Sequence, residues 1–471
     1  MVKQAQFSGQ PANPNETPVI RNLNRTTGPL LNNINGTITT MYELFQYVAE
    51  TFPTVESFGA RHVVREVVEE KELTKVIGGV ETKEVKKWTY FELSGYDWLS
   101  YAEAKTWVSD IGSGLRKIGL KEQDKVTIFA ATSRNWLLTA HGCFTQNMTI
   151  TTAYDTLGQE GLTYSLNECE VSTIVTNDGL LSMIQKIAPD VPTLKRVIYD
   201  GKPDEAVVAK LKASHAHLEF YTLDEVRGLG KENPLPHVVP KPQDVCCIMY
   251  TSGSTGNPKG VMLTHENVVS SVAGAREIIK TIAKPDDSYL AYLPLAHILE
   301  FVAQNVVLSL GMKIGYGNPR TLSDLSVRNC RGDLTECRPS IMTGVPAVWE
   351  TIRKGVYSKL KEKGPAAKTI FESALAAKWQ LMKMGLPSSF IDPIFKQIKA
   401  NTGGRLRYVL SGGAPISPET QQFLTTAVCP VIQGYGMTEG TAVIAIQLPQ
   451  DPTTMGRTGP PAVHTELKLV A

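Results

Sequence analysis

The sequence predicts an α/β fold of at least two packed units, with mostly parallel sheets covered by helices on both faces. Three observations predict it. The chain has 471 residues, more than one ordinary core accommodates. From residue 124 onward, short β-branched or apolar runs alternate with amphipathic stretches of helical length. Four prolines, Pro234, Pro236, Pro240 and Pro242, then punctuate the chain, and the same rhythm restarts beyond them.

The elements follow in order. Residues 1–38, rich in Asn, Thr, Pro and Gly, read as a tail or extended arm. Thr40 is placed to cap a helix running to about Phe52, with Met41, Leu44, Phe45 and Val48 on one side. A first α/β lobe is expected over 39–236, with strands at 126–130, 149–154, 172–175, 196–199 and 217–221. Helices at 133–146, 158–169 and 205–213 alternate with them. A second lobe is expected over 237–456. Its strands fall at 245–250, 288–292, 313–316, 340–343, 406–410 and 431–433. Its helices fall at 265–280, 298–310, 347–361, a pair within 366–400, and 418–428. Ile370, Ala374, Ala377, Leu381 and Met384 form a stripe expected to pack on a neighbouring helix; Trp379 and Lys378 beside it could instead face a membrane surface.

Composition removes several function classes. A formal charge of +2 offers no electrostatic case for a nucleic-acid partner. The lysine run at 83–87 alternates with other residues and reads as a solvated face. Seven scattered cysteines lack metal-finger spacing and read as reduced thiols. With no basic-then-apolar leader pattern, Asn15, Asn24, Asn35 and Asn147 read as chance glycosylation matches. No apolar run reaches the roughly 18 residues of a membrane span. A cytoplasmic protein is therefore expected.

The chemistry is concentrated in one loop, Tyr250-Thr-Ser-Gly-Ser-Thr-Gly-Asn-Pro-Lys-Gly260. Gly253, Gly256 and Gly260 let backbone N–H groups approach an anion. Ser252, Ser254 and Thr255 add hydroxyl donors, and Lys259 adds a mobile positive charge. Pro258 keeps the segment out of a helix. The spacing is not that of a Walker loop. A generic glycine–serine loop is ordinarily a surface turn, but this ordered string is far more specific.

Four further segments follow it: Leu293-Pro-Leu-Ala-His-Ile-Leu-Glu300, Thr343-Gly-Val-Pro346, Ser411-Gly-Gly-Ala-Pro415 and Gly434-Tyr-Gly-Met-Thr-Glu439. Together they resemble the signatures of the acyl-adenylate-forming superfamily, in that family's order. With Thr152-Ala-Tyr-Asp-Thr-Leu-Gly158 and Arg328-Asn-Cys-Arg-Gly-Asp333, the chain is similar to long-chain fatty acid–CoA ligases, above all fungal ones.

The resemblance implies two stacked αβαβα lobes followed by a β-barrel segment, of which 457–471 would be an incomplete start. It implies ATP-dependent conversion of a fatty carboxylate to acyl-AMP, then thioester formation with CoA. Thr251, Ser252, Gly253, Ser254, Thr255, Gly256 and Lys259 would hold the β- and γ-phosphates. Glu439 would hold Mg²⁺, and Thr438 would donate to the α-phosphate. Tyr435, within Gly434, Gly436 and Met437, would stack on adenine, with Gly412, Gly413, Ala414 and Pro415 on its other side. His297 would contact the acyl substrate or wall its pocket. Phe301 matches an aromatic gate, and Thr343 with Gly344 would leave room for an alkyl tunnel. Burial at about 0.8 kcal/mol per CH₂ favours long chains. Lys259, His297, Thr438 and Glu439 are the expected catalytic groups.

Relatives of this kind continue beyond Ala471, into a Thr-Gly-Asp motif, a hinge and a lysine-bearing lid. The chain alone is therefore expected to bind nucleotide weakly and turn over poorly, with 467–470 as an unpaired strand. Two other readings stay open: a non-catalytic nucleotide- or fatty-acid-binding fragment, and an adenylating enzyme for another acid. The second lacks the pocket aspartate an amino-acid substrate would need. Peripheral contact with endoplasmic reticulum or lipid-droplet membranes is an open expectation, and oligomeric state is not legible.

Overall fold

The structure is a computed structural model and describes residues 4–11, 13–77, 80–251, 257–449 and 453–470. Two sheets carry the fold. The seven-stranded sheet runs Glu219–Thr222, Arg196–Asp200, Thr173–Asn177, Lys125–Phe129, Thr149–Ala153, Val245–Thr251 and Lys259–Thr264. All neighbours are parallel except the last pair. The eight-stranded sheet runs Ala445–Ile446, Val431–Tyr435, Tyr408–Ser411, Ile341–Gly344, Ser288–Ala291, Lys313–Tyr316, Glu56–Ala60 and Asp97–Ser100. Only its two edge strands are antiparallel. The inner strands are short β-branched or apolar runs because both of their faces are covered.

Between the sheets lies a layer of helices, among them Arg134–Phe144, His265–Ile279 and Ile298–Ser309. These are buried on almost every side, so their sequences lack a strongly polar face. The helix Met41–Thr51 joins this layer. Thr40 and Glu43 form a reciprocal capping box, and Met41, Leu44, Phe45 and Val48 are buried as the spacing predicts.

The sheets do not divide at residue 236. Val245–Thr251 buries Cys246, Cys247 and Met249 and pairs in parallel with Thr149–Ala153, so the opening of the expected second lobe completes the first sheet. Glu56–Ala60 and Asp97–Ser100 conversely complete the second. The proline-rich stretch is a connection along the first unit, bridged to it by Gln146 and Val238. The run 83–87, read as a solvated face, lies in a long antiparallel hairpin of Val63–Ile77 with Val80–Leu93, for which the sequence reading assigned no element. Opposite charges face each other across it, as in Glu70–Lys87 at 3.5 Å and Arg65–Glu92 at 2.6 Å. Lys86 and Lys87 are solvated as expected. Arg328 ties the hairpin down by binding Glu69 and covering the Tyr90 ring at 3.5 Å.

Two further expectations are corrected. On the helix Pro365–Lys383 the buried residues are Phe371, Ala374, Lys378 and Trp379, while Ile370 and Met384 are each 61% exposed and Ala377 faces solvent. Lys378 can be buried because its ammonium donates to Asp392 Oδ1 and to the Thr426 carbonyl, both at 2.6 Å. Residues 467–470 are not unpaired. Ala5–Ser8 and Val19–Asn22 form an antiparallel pair, and Ile20 exchanges hydrogen bonds with Leu467 at 2.6 and 3.1 Å. Thr17 N donates to Leu469 O at 2.9 Å, and ion pairs Arg21–Glu466 and Glu16–Lys468 flank the seam. No closed barrel is present among the described residues. All seven cysteines are free, and no described helix is long and apolar enough to cross a membrane.

Candidate active site

Parallel strands end together, and the residues that follow them converge. Ala130–Thr132 (130–132), Tyr154 and Asp155, Tyr292 to Ala296, and Gly317 to Pro319 each follow a strand, and they line a cavity of about 560 Å³. Leu334, Met342, Val348 and Ile352 close it with apolar surface. The neighbouring ends of Ile341–Gly344, Tyr408–Ser411 and Val431–Tyr435 line a second, tighter cavity of about 60 Å³. Crevices at the carboxyl ends of parallel strands are where α/β sheets bind ligands.

The segment from Tyr292 to Leu299 runs between the two cavities and contributes to both. Two threonines fasten it, the half-buried Thr132 just after one strand of the first sheet and the buried Thr152 within another. Thr132 Oγ1 donates to Leu293 O and accepts from Leu295 N, both at 2.7 Å, and Thr152 Oγ1 donates to Ala296 O at 3.1 Å. Met249 lies opposite Thr152 in the ladder, so the hairpin bearing Thr251 and Lys259 opens at this same end. Lys259 is exposed opposite Thr251. Ser252, Gly253, Ser254, Thr255 and Gly256 lie outside the described residues.

His297 caps the helix Ile298–Ser309, its Nδ1 accepting from Leu299 N at 3.1 Å. The proton of the neutral ring therefore sits on Nε2, and the residue lines the smaller cavity. Burial lowers its pKa and keeps it neutral. One turn on, Glu300 is buried and accepts from Tyr289 Oη at 2.8 Å and Gln304 Nε2 at 2.7 Å. Burial pushes its carboxyl up to about 7. Gln304 Oε1 in turn accepts from Tyr316 Oη at 2.9 Å.

The Gly434–Glu439 segment folds back on the next turn. A Cβ on Gly436 would lie 1.2 Å from the Ala442 carbonyl oxygen, so only glycine fits there. Thr441 and Ala442 adopt left-handed conformations, with φ of 53° and 73°, and the buried Ser271 hydroxyl donates to Thr441 O. This leaves Tyr435 52% exposed at the cavity mouth. Thr438 begins a short 3₁₀ turn, and the exposed Glu439 carboxylate has no partner among the described residues. No cluster of three or more metal-binding side chains occurs among the described residues.

The smaller cavity thus brings together His297, Thr343, Gly412, Gly413, Gly434, Tyr435, Gly436 and Met437. Ala414 and Pro415 are exposed and do not line it. Two residues expected to shape an acyl tunnel are occupied otherwise. A Cβ on Gly344 would meet the Trp349 ring at 2.3 Å, so the space left by this glycine is filled by tryptophan. Phe301 is fully buried against Trp136, 6.2 Å between centroids, and lines neither cavity. Sequence reading missed the larger cavity. The available signal was positional: its walls are the residues just after each parallel strand.

A family model described as AMP-binding enzyme matches residues 80–471. Long-chain-fatty-acid–CoA ligase 1 of Schizosaccharomyces pombe is 40% identical over 458 residues, 97% of this chain and 67% of that protein. The chain thus spans about two thirds of the length of this relative. Among solved structures, a long-chain-fatty-acid–CoA ligase from Archaeoglobus fulgidus superposes with a TM-score of 0.62 at 16% identity, over 92% of this chain and 70% of that one. The adenylation domain of a carboxylic acid reductase from Segniliparus rugosus, solved with AMP and a co-purified carboxylic acid, gives 0.61 at 19%, over 86% and 61%. Both share the fold. The chain belongs to the AMP-binding enzyme family, among the relatives of the fungal long-chain fatty acid–CoA ligases.

Proposed function

We propose that this chain carries the nucleotide and acyl sites of a long-chain fatty acid–CoA ligase. The observation that carries the reading is the convergence of four separated sequence segments on one crevice, around His297, Thr343, Gly412 and Tyr435. The family match and the AMP-bound neighbour support it.

In the first step a carboxylate oxygen attacks the α-phosphorus of ATP, and the bond to pyrophosphate breaks. Charge builds on phosphorus, so stabilisation and positioning dominate. His297 and the first residues of the helix Ile298–Ser309 line the smaller cavity, and the helix dipole favours an anion there. The orphaned Ser411 hydroxyl adds an uncommitted polar group at the same wall. Tyr435 offers a free ring face for adenine. Lys259 and the loop before it would meet the β- and γ-phosphates, and Thr438 the α-phosphate. The unpartnered Glu439 fits Mg²⁺, which takes one or two carboxylates and otherwise phosphate oxygens and water; the ion would neutralise phosphate charge. In the second step CoA sulfur attacks the acyl carbon, AMP leaves and the thiol proton is released.

The larger cavity suits the alkyl tail. At about 560 Å³ it falls within the size of small-molecule sites and is walled mainly by apolar groups. On this reading the tail would lie beside Tyr292 and Ile352, since Trp349 fills the space at Gly344 and Phe301 is buried against Trp136. The whole enzyme is further expected to touch membranes peripherally.

ATP–pyrophosphate exchange with palmitate tests the reading. Exchange above background, abolished by Lys259→Ala or Glu439→Gln, is expected. Binding of ATP or palmitate without exchange would favour a non-catalytic fragment, and exchange indifferent to both substitutions would overturn the site.

A further inference from the structure

We propose that a cavity at the seam between the N-terminal arm and the helix His265–Ile279 binds a small organic phosphate, a phosphate monoester with a polar body. The cavity measures about 350 Å³ and shares no lining residue with the two cavities described above. The arm supplies one wall with residues between Asn22 and Gly36, the helix supplies another, and Leu448 and Val463 complete it from the C-terminal side.

Charge carries the argument. Arg25 of the arm and Arg276 of the helix both line the cavity and are both half-buried, and neither has a carboxylate partner among the described residues. Arg276 Nε donates to the Ser309 carbonyl only at 3.5 Å, and Arg25 makes no side-chain hydrogen bond among the described residues. Lys280 adds a third cation, and Glu277, the one acid in the lining, is already bound to it at 2.6 Å. Comparable arginines of this chain have counter-ions. Arg21, four residues before Arg25 and also half-buried, pairs with Glu466. A cavity elsewhere is lined by Arg405 and Arg407, but Asp286 and Asp287 in the same lining pair with them. Two guanidinium groups on one cavity repel each other unless an anion lies between them.

The forked donors of arginine match phosphate oxygens. The volume is that of a small-molecule site, so more than a bare phosphate ion fits. Asn24 and Asn35 in the lining have carboxamides with no hydrogen bond among the described residues, a complement to hydroxyl groups. Because the two arginines come from separate segments, the occupant ties the arm to the helix. That helix also fastens the turn after Glu439, through the Ser271 hydroxyl. The site does not depend on the ligase reading.

Thermal unfolding and calorimetric titration of the full chain test it, with glucose 6-phosphate and glycerol 3-phosphate as probes. At least one should bind and raise the melting midpoint by about 2–4 °C at a hundredfold excess over its dissociation constant. Inorganic phosphate should bind about tenfold more weakly, and glucose and glycerol should not bind. Arg25→Gln and Arg276→Gln should each weaken binding about tenfold or more. Removing either cation relieves repulsion, so the unliganded midpoint of both variants should not fall. Lys259→Ala, in the phosphate loop, should leave probe binding unchanged. No response to either probe, a response shared by the neutral polyols, or inorganic phosphate bound as tightly as the esters overturns the proposal. So does a response lost with Lys259→Ala and kept in the arginine variants, or a fall in their unliganded midpoints.

Discussion

Replacing Glu300 by glutamine should flatten the pH dependence of stability in a defined window. The carboxyl is fully buried, one turn inside the helix capped by His297, and its pKa is raised from 4.5 to about 7 by burial. In the unfolded chain the group loses its proton near 4.5; in the folded chain it keeps it to about 7. Between these values the folded state binds more protons, so stability falls as pH rises. Each pH unit costs about 1.4 kcal/mol, or about 3 kcal/mol across the window. The penalty is absent below the lower value and complete above the upper one. Glutamine has the same shape, stays neutral, and keeps an acceptor for Tyr289 or Gln304. Thermal midpoints of wild type and Glu300→Gln, measured from pH 5 to pH 8, should be close at the acid end. Wild type should fall below the variant by about 3–6 °C at the alkaline end. Parallel curves across that range would refute the reasoning and show that the carboxyl titrates alike in both states.

Other outcomes follow from single contacts. Gly436→Ala places a methyl on the Ala442 carbonyl, so it should cost about 1–3 kcal/mol of stability, read as a lower melting temperature, and weaken ATP binding at least tenfold in a fluorescent-nucleotide titration. Asp333→Ala strips the buried Arg61 of its partner at 2.8 Å, and should cost about 3–5 kcal/mol, read as a lower denaturation midpoint. Ile20→Pro removes the donor to Leu467 O and should cost about 1 kcal/mol, with more aggregation on incubation as the seam opens.

Much of this fold was legible because its inner strands are buried on both faces. Runs such as Lys125–Phe129 and Thr149–Ala153 stand out between helical stretches. Some edge elements were not, although Glu219–Thr222 was expected as a strand at 217–221. Asp97–Ser100 is four residues long, and the hairpin over 63–93 alternates acids and bases as a solvated surface does. Lys259–Thr264 was hidden by the loop before it. In the segment Gly434–Glu439 the glycine at 436 answers a local backbone demand. The larger cavity was not legible, because Tyr154, Tyr292 and Ile352 come from distant segments and look like core residues singly. Phe301 shows the converse: position in a motif says nothing about whether packing leaves the ring free.

The strand Glu56–Ala60 has its parallel neighbour at Lys313–Tyr316. On the ribosome the earlier strand emerges first and waits for more than 250 further residues before that edge can be covered. At about 5–20 residues per second the wait is roughly 10–50 s. During it the nascent polypeptide exposes Phe58 and an open ladder edge, a state suited to capture by a holding chaperone.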